Sequence, residues 1–526
     1  MLLSVVVPVL AVAGSALGRL SDGRLTGNMA PPPIVKKVQL RDNGPRVHSR
    51  TGATQPPLDT VYTFDQLIDH GNPQLGTFKQ RYWADWEFYE PGGPIVLFTP
   101  GEENGEGFEG YLTNDTMSGI IAQQHHGASV VIEHRFFGLS NPYPDLSVKS
   151  LKYHTIQQAI DDLDYFANNV KLPFSANVTP AETPWVLVGG SYSGALTAWT
   201  KVNKPDTFWA GWASSAVVES ITDFWQYFDV IRQFMPQNCS ADVQAVVSHF
   251  DSVVASGNTS AFNALKAEFG MADVVHPDDV TGALRNNLWD WQNLTPASNA
   301  DALFWKFCDA LEVKNGKIAP ASGWGVEYAL SAWGAYFKNT YLELLCGDQD
   351  AETCLGTYNA SQSSWTDTTI DNASRSWEWI VCNEVGFFQD SAPAGTPSLV
   401  SNLVLPSGDE RQCEMMFPEA FSSPPVPNVD KTNTAYGGWN AHADRLFYAN
   451  AIRDPWRDAT VSADNHTVQS TPDQPIAMSD GFHADDLIVD FAAVDATMAK
   501  LQQQGLNYIK GWLAEWKPAS DRRRGD

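Results

Sequence analysis

Short continuous apolar runs alternate with helical stretches along the first part of this chain. Three runs stand out, PIVLFT at residues 94–99, SVVI at 129–132 and WVLV at 185–188. Runs of this length, bounded by turn-forming or polar residues, are typical of strands buried on both faces of a parallel sheet. Between the last two runs, apolar residues recur at helical spacing and predict a crossover helix on the sheet: Ile156, Ala159, Ile160, Leu163 and Phe166.

The alternation fades from about residue 222 to residue 436, where all six cysteines lie, and we interpret this stretch as an inserted, mostly helical cap. Strand-like runs return at 445–452 and 475–478. A last amphipathic helix is predicted through Val494, Met498, Leu501, Leu506, Ile509 and Leu513. At 526 residues the chain is too long for one core, so we expect an α/β domain, 58–221 and 437–520, split around a cap at 222–436.

The two ends of the chain differ from this core. Residues 1–18 form an apolar stretch shorter than a membrane span and rich in small residues, which predicts a signal peptide, with a buried strand as the alternative. Residues 19–57 are rich in Pro, Gly, Arg and Ser, so we expect a linker or a removable pro-segment outside the fold. Residues 521–526 form a charged tail, and no other segment predicts a membrane span.

The balance of charge restricts the partners. A formal net charge of −27 argues against nucleic acid, because binding phosphates needs clustered Lys and Arg. A hydrophobic fraction of 43% with 18% charged residues indicates a globular protein. The acidic composition is compatible with work at low pH, where many carboxylates are protonated and their mutual repulsion weakens.

The cysteines and glycosylation acceptors favour a secretory route, with a lysosome or vacuole as the alternative to the extracellular space. Proximity favours Cys346 with Cys354 and Cys382 with Cys413, leaving Cys239 for Cys308, although six cysteines allow 15 connectivities. Asn177 is the weakest acceptor, because Pro180 follows its Thr179. Acceptors of the form N-x-[ST] stand at Asn114, Asn177, Asn238, Asn258, Asn293, Asn359, Asn372 and Asn465.

The most informative segment is GGSYSG at residues 189–194, which directly follows an apolar strand and opens a helix-forming run. This context predicts the nucleophile elbow of an α/β-hydrolase fold, with Ser191 as nucleophile. Small neighbours are needed because larger side chains would collide with the strand and the helix. Ser193 stands where the strict motif has Gly, and the alternative interpretation is a Gly-rich loop with a capping serine.

A serine hydroxyl needs a base, and this fold supplies its partners in the chain order Ser, acid, His. Three histidines follow the predicted cap. His442 precedes the strand that carries the acid, and His466 lies inside a glycosylation acceptor, whereas His483 occupies a turn after a strand-like run. His483 is therefore the predicted base, with an ordinary loop histidine as the alternative.

The orienting acid is predicted at Asp454, because it follows the run RLFYANAI and Pro455 ends any strand there. Its carboxylate would then lie at the carboxyl edge of the sheet, where α/β sites assemble. Asp458 is the runner-up, and we expect it to be a solvent-facing charge.

An oxyanion hole in this fold takes one N–H from the residue after the nucleophile and one from the loop after an early strand. We assign these to Tyr192 and Gly101. Glu102, Glu103 and Glu106 lack the spacing of a calcium loop, so we expect a solvated turn there and predict no metal or cofactor.

With these residues placed, the chain resembles the serine peptidase family of lysosomal Pro-Xaa carboxypeptidase, dipeptidyl peptidase II and the fungal prolyl endopeptidases, most of all the last. The resemblance runs from about residue 64 to 516 and rests on FDQLIDHGNPQLGTFKQRYW, VVIEHRFFGLSNPY, GGSYSGALTAW, WEWIVCNEVGFFQ, DPWRD and GFHADDL. It implies the same Ser191, Asp454 and His483, a helical cap with disulfides over the site, and cleavage on the carboxyl side of proline. It also implies that Trp456 lies beside the proline side chain, with ordinary packing as the alternative.

We therefore expect a secreted serine peptidase that acts on proline-containing peptides or proteins as an endopeptidase. The acidic composition and the lysosomal relatives favour action at acidic pH. Carboxypeptidase or dipeptidyl peptidase activity is the nearest alternative, and Ser193, where animal relatives carry Gly, weakens the transfer of their exopeptidase activity. A lipase or esterase and a non-catalytic binding protein are the alternatives from other classes.

Overall fold

The computed structural model describes residues 20, 22–40, 46–175 and 177–518. The predicted leader at 1–18 and the charged tail at 521–526 lie outside the described residues. Within them, no helix is both long and apolar enough to cross a membrane.

The first half of the α/β domain alternates strands and helices, and the three predicted central strands and the crossover helix are confirmed. The strands are β1 (Tyr62–Leu67), β2 (Thr77–Asp85), β3 (Ile95–Phe98), β4 (Ala128–Ile132), β5 (Trp185–Gly190) and β6 (Ala210–Ser214). The helices are α1 (Met117–Gln124), α2 (Val148–Leu151), α3 (Ile156–Asn169) and α4 (Ser191–Asn203). Thr155 begins α3 by accepting a hydrogen bond from the Gln158 N–H, which satisfies one free amide of the first turn.

The stretch after β6 is mostly helical and contains two small two-stranded sheets. Its strands are β7 (Ile221–Asp223), β8 (Val313–Lys314), β9 (Lys317–Ile318) and β10 (Gly386–Phe388). Its helices are α5 (Gln226–Phe234), α6 (Gln237–Ala255), α7 (Thr259–Glu268), α8 (Pro277–Ala283), α9 (Arg285–Trp289), α10 (Leu303–Glu312), α11 (Val326–Tyr336), α12 (Leu342–Cys346), α13 (Ala351–Leu355), α14 (Ser363–Thr366), α15 (Ala373–Ile380), α16 (Pro406–Met416) and α17 (Val429–Tyr436).

The chain then returns to the main sheet with β11 (Leu446–Ala451) and β12 (Ile476–Ser479) and ends in α18 (Ala496–Glu515). In the part of the chain that the structure describes, this sheet has eight strands in the order β1-β2-β4-β3-β5-β6-β11-β12. All neighbours are parallel except β1 with β2 and β2 with β4. The sheet is mostly parallel, and a helical stretch is inserted along the chain between its neighbouring strands β6 and β11. This arrangement confirms the predicted α/β-hydrolase fold with a helical cap.

Helices cover both faces of the sheet. The apolar stripe of α3 is buried against one face, and residues of α1 and α18 pack on the other. Gly505 lets α18 lie close to the sheet, because a Cβ there would stand 2.4 Å from the Trp212 ring. The prediction for α18 was wrong at Val494, which precedes the helix and is 60% exposed.

The three predicted disulfides are confirmed, namely Cys239–Cys308, Cys346–Cys354 and Cys382–Cys413. Each joins two positions within the cap, so the sheet itself carries no cross-link among the described residues.

The expectation that residues 19–57 lie outside the fold was wrong for 22–40. Leu25, Met29 and Val35 are buried although this stretch contains no helix or strand. Its backbone groups are instead bonded to the cap and to the α/β domain, as with Gly27 N–H donating to the Cys354 carbonyl at 2.7 Å. Long-range contacts of this kind leave no periodic signal in a sequence.

Candidate active site

Ser191 lies at the sharp turn between β5 and α4 and has a φ of 60°. This left-handed backbone is rare for residues other than Gly and is the strained elbow that the sequence predicted. A Cβ on Gly189 would stand 2.1 Å from the Ser193 carbonyl oxygen, and one on Gly194 would stand 2.5 Å from the Ser214 carbonyl oxygen. The glycines are therefore required by the closeness of strand and helix.

Ser193 closes the elbow from the inside. Its hydroxyl donates to the Gly190 carbonyl at 2.8 Å and accepts from the Gly190 N–H at 3.2 Å. A serine at this position therefore acts as a local cap of α4, which accounts for its presence where the strict motif has glycine.

His483 and Asp454 are joined by a hydrogen bond of 2.8 Å between Nδ1 and Oδ1. Both side chains are buried, and the Asp454 Oδ1 also accepts from the Trp456 N–H at 2.9 Å. The turn after β11 thus presents the carboxylate toward the histidine that follows β12. The other two histidines considered, His442 and His466, lie on the exposed or half-buried surface away from this pair.

The turn that carries His483 is held by two buried carboxyl groups. Asp485 accepts from the Phe482 N–H at 2.8 Å, and Asp486 accepts from the Trp212 indole N–H at 2.8 Å and from the Ser214 hydroxyl. Burial raises the pKa of Asp486 to about 7. The acidic pair in GFHADDL therefore fixes the loop that aims the imidazole.

The elbow and the histidine turn meet at Gly190. A Cβ on Gly190 would lie 2.8 Å from Leu487 Cδ1 and 3.2 Å from Ala484 Cβ, so the residue before Ser191 packs against the turn that carries His483. The Ser191 Oγ has no hydrogen-bond partner among the described residues, and the His483 Nε2 lies 3.3 Å from the Pro33 carbonyl oxygen.

The loop after β3 packs against the start of α4. Gly101 has a φ of 83°, and a Cβ there would stand 3.3 Å from Ser193 Cβ. The buried Glu133 carboxylate holds the same loop by accepting from the Gly105 N–H at 2.9 Å and from the Arg81 guanidinium. This network gives the motif VVIEHRFFGLSNPY a structural role, since it sets the position of the loop that carries Gly101.

Two expectations about carboxylates were wrong. Glu102 is 1% exposed rather than solvated, neither of its oxygens has a partner among the described residues, and burial raises its pKa well above the ordinary value. Asp458 is buried and does not face solvent. Its Oδ1 accepts a hydrogen bond from the Asp464 N–H, which closes the loop after β11. Glu103 and Glu106 instead pair with Lys37 and Arg81.

Trp456 lies in an aromatic cluster between the cap and the histidine. Its ring centroid is 5.5 Å from Phe224, 5.4 Å from Tyr227, 5.3 Å from Phe387 and 6.3 Å from His483. A small cavity beside it is lined by residues that include Trp377 and Phe387. Sequence reasoning missed these aromatic partners, although Trp377 and Phe387 stand in the motif WEWIVCNEVGFFQ.

The predicted glycosylation acceptors fall into two groups. Asn114, Asn177, Asn258, Asn293, Asn359 and Asn465 are exposed. Asn238 and Asn372 are buried, the first donating to Glu312 and the second capping α15, so a glycan on either has no room in this fold.

Among the residues that the structure describes, one group of side chains is close enough together to suggest a metal site, namely Cys239, Cys308 and Glu312. Its two cysteines are bonded to each other, so neither offers the thiolate that a metal would need.

A family model described as serine carboxypeptidase S28 matches residues 66–500. A serine protease vicPb from Bipolaris victoriae is 36% identical over 475 residues, covering 86% of this chain and 89% of that protein. A protein named probable extracellular serine carboxypeptidase from Arthroderma benhamiae is 32% identical over 412 residues, covering 73% of this chain and 56% of that protein. The thymus-specific serine protease of Homo sapiens is 24% identical over 534 residues, covering 94% of this chain and 96% of that protein.

Proposed function

This chain belongs to the serine carboxypeptidase S28 family and is a serine peptidase, and on that premise we propose that Ser191, His483 and Asp454 are its catalytic triad and that it cleaves peptide bonds after proline. The observation that carries the assignment is the buried Nδ1–Oδ1 hydrogen bond of 2.8 Å between His483 and Asp454, beside the elbow of Ser191. The same three residues follow from the chemistry of the sequence.

In this mechanism the Ser191 Oγ attacks the peptide carbonyl while His483 Nε2 takes its proton. The protonated imidazole then gives that proton to the leaving amine, and a water molecule repeats the cycle on the acyl-enzyme. Asp454 holds the Nδ1–H tautomer and stabilises the imidazolium that forms. The N–H groups of Tyr192 and Gly101 are our candidates for stabilising the oxyanion.

The proline specificity is proposed from the shape of the pocket beside Trp456. A proline ring is compact, rigid and apolar, so a pocket for it needs flat hydrophobic walls rather than a charge. Trp456 with Trp377 and Phe387 offers such walls beside the proposed triad. The family relationship supports the same assignment, with internal cleavage as our first expectation and carboxypeptidase or dipeptidyl peptidase activity as the alternative.

We further propose that the protein is secreted and works in acidic solution. Six exposed acceptors for N-glycans, three disulfides and the apolar leader in the sequence support passage through a secretory pathway. The relative from Arthroderma benhamiae is named an extracellular enzyme.

Labelling with a fluorophosphonate probe tests the triad. In the processed enzyme we expect Ser191 to be labelled and the Ser191→Ala and His483→Ala variants to lose turnover by several orders of magnitude while remaining folded. An active Ser191→Ala protein would contradict the assignment, and an unreactive Ser191 in the processed enzyme would favour a binding protein. Mass spectrometry of one long proline-containing peptide after digestion distinguishes internal cleavage from removal of terminal residues, and cleavage of esters alone would indicate an esterase.

A further inference from the structure

The proposed catalytic centre is closed to solvent in this structure. Ser191 is 0% exposed and His483 is 2% exposed. A peptide substrate has to reach both groups, so something must leave before catalysis. The covering chain is residues 22–37, which we call the cleft segment.

The cleft segment contacts the triad directly. The Pro33 carbonyl oxygen is 3.3 Å from His483 Nε2, the nitrogen that would have to accept the Ser191 proton. The Lys36 ammonium donates to the His483 carbonyl at 3.0 Å. Val35 Cγ1 lies 2.5 Å from the position that a Cβ on Gly190 would take, so its side chain sits against the elbow. The segment therefore occupies the space in which a scissile bond would bind.

The same segment covers the pocket that we assign to proline. Met29, Ala30 and Pro31 line the cavity beside Trp456. The Pro32 carbonyl accepts from the Gln292 amide at 3.2 Å, and the Gln292 Oε1 accepts from the Trp456 indole N–H. A proline-rich stretch thus forms one wall of the aromatic pocket and closes it to a substrate.

The upstream part of the segment is anchored in the cap by buried polar groups. Arg24 donates to the Met29 carbonyl and to Asn286 Oδ1, both at 2.8 Å, and stacks 5.3 Å above the Trp289 ring. Asn286 donates in return to the Gly27 carbonyl at 2.7 Å. These bonds are desolvated and directional, so this face of the cap is shaped to hold the segment.

The downstream part leaves along the α/β domain. Lys36 pairs with the buried Asp485 at 2.7 Å, and the Tyr111 hydroxyl donates to the Lys36 carbonyl at 2.9 Å. Lys37 pairs with Glu103 and is exposed, as is Leu40. The chain therefore becomes accessible to a second peptidase directly after the cleft.

We propose that the cleft segment is a built-in inhibitor. The folded chain is latent, and substrates reach Ser191 only after another peptidase has hydrolysed one peptide bond at the exposed residues Gln39 and Leu40 and the segment has left. Water adds across that bond, leaving a new carboxylate on the segment and a new amine on the enzyme. This inference rests on the proposed function, because inhibition presupposes that Ser191 is the nucleophile.

The test uses the full chain with a recognition sequence for a site-specific peptidase inserted after Leu40. Fluorophosphonate labelling of Ser191 and hydrolysis of a proline-containing peptide are measured before cutting and after cutting with dilution. A tethered segment acts at an effective concentration on the order of mM, so its release should raise both rates roughly 100-fold or more. In a matched control the same sequence is inserted in the exposed β8–β9 turn at Gly316, where cutting should change neither rate.

Two further measurements do not depend on cutting. In the uncut chain Arg24→Ala should loosen the segment and speed labelling, whereas Arg50→Ala, which removes only an exposed pair with Glu90, should not. A synthetic peptide of residues 22–40 should inhibit the released enzyme competitively, and a scrambled peptide should not.

The outcomes separate the two proposals. Equal labelling and turnover of the uncut and the released chains would overturn the inhibitor while leaving the triad intact. Absence of labelling in a folded, released chain would overturn the triad and the inhibitor with it. Fast labelling only after release, or in Arg24→Ala, supports both.

Discussion

Replacing Glu378 by Gln should make the protein more stable, and the gain should grow with pH. Glu378 lies on α15, is buried beside the aromatic pocket, and has its pKa raised from 4.5 to about 8 by burial and, to a lesser extent, by Asp409. Its charged form is therefore disfavoured in the folded state but not in the unfolded chain. Glutamine has nearly the same shape and does not ionise.

The magnitude follows from the linkage between protonation and folding. Below about pH 4 the carboxyl is protonated in both states and no difference arises from its ionisation. As the pH rises the unfolded chain loses this proton first, so the free energy of unfolding of the parent falls until the pH exceeds the folded pKa. Each pKa unit corresponds to about 1.4 kcal/mol, so the rise of the Glu378 pKa from 4.5 to about 8 lowers the free energy of unfolding of the parent by about 5 kcal/mol in full. About 3 kcal/mol of this decrease is reached at pH 7.

Thermal unfolding of the Glu378→Gln variant and the parent, at matched scan rates from about pH 4 to about pH 8, measures this difference. The gap in Tm should be small in acid and widen steadily toward neutrality. Asp301→Asn, which removes a carboxylate that is 88% exposed in the same cap, should leave the gap near zero throughout. A gap for Glu378→Gln that is constant or shrinks as the pH rises would refute the reasoning.

Three further predictions concern catalysis, each measured on variants and parent in the same processing state. Asp454→Asn should lower kcat by ~10⁴-fold, because the imidazole of His483 loses the group that fixes its tautomer. In Asp458→Asn the new amide oxygen can still accept the hydrogen bond from the Asp464 N–H, so kcat should stay within about tenfold of the parent. The reverse ranking would exchange the roles of the two acids. Trp456→Ala should reduce kcat/KM far more on a proline peptide than on a small activated ester, and equal losses would mark Trp456 as a packing residue. Glu102→Gln should extend the pH profile of kcat/KM to higher pH. The raised pKa keeps the Glu102 carboxyl neutral in acid, and its ionisation at higher pH would place a negative charge beside the proposed oxyanion site. An unchanged alkaline limb of the profile in the variant would contradict this role of Glu102.

The parts of this molecule that the sequence predicts are those with a local signal. The central strands are continuous apolar runs, and α3 has a clear helical period, so both could be placed within a few residues. The elbow at Ser191 was equally accessible, because its glycines are required by a close approach of strand and helix. The disulfide pairs followed from proximity along the chain.

The remainder depends on contacts between distant residues. Glu102 and Asp458 look like surface charges in the sequence, and only the packing of other elements around them makes them buried. The cleft segment has no period to detect, since its carbonyl groups are bonded to cap side chains such as Gln292 and to His483. The aromatic cluster at Trp456 brings together three separate stretches of the chain. Phe224 and Phe387 come from two parts of the cap, and Trp456 itself comes from the α/β domain.

The position of the disulfides also bears on how the chain reaches this structure. Strand β6 pairs with β11, yet the whole cap lies between them, so the sheet cannot be completed until the cap has been synthesised. Joining the ends of a long flexible loop costs conformational entropy, and cross-links inside the loop shorten its effective length before the ends meet. All three disulfides lie inside that loop. Formation of the disulfides in the cap should therefore precede and accelerate closure of the sheet. A reducing environment would then delay assembly of the proposed triad, whose residues come from both halves of the α/β domain.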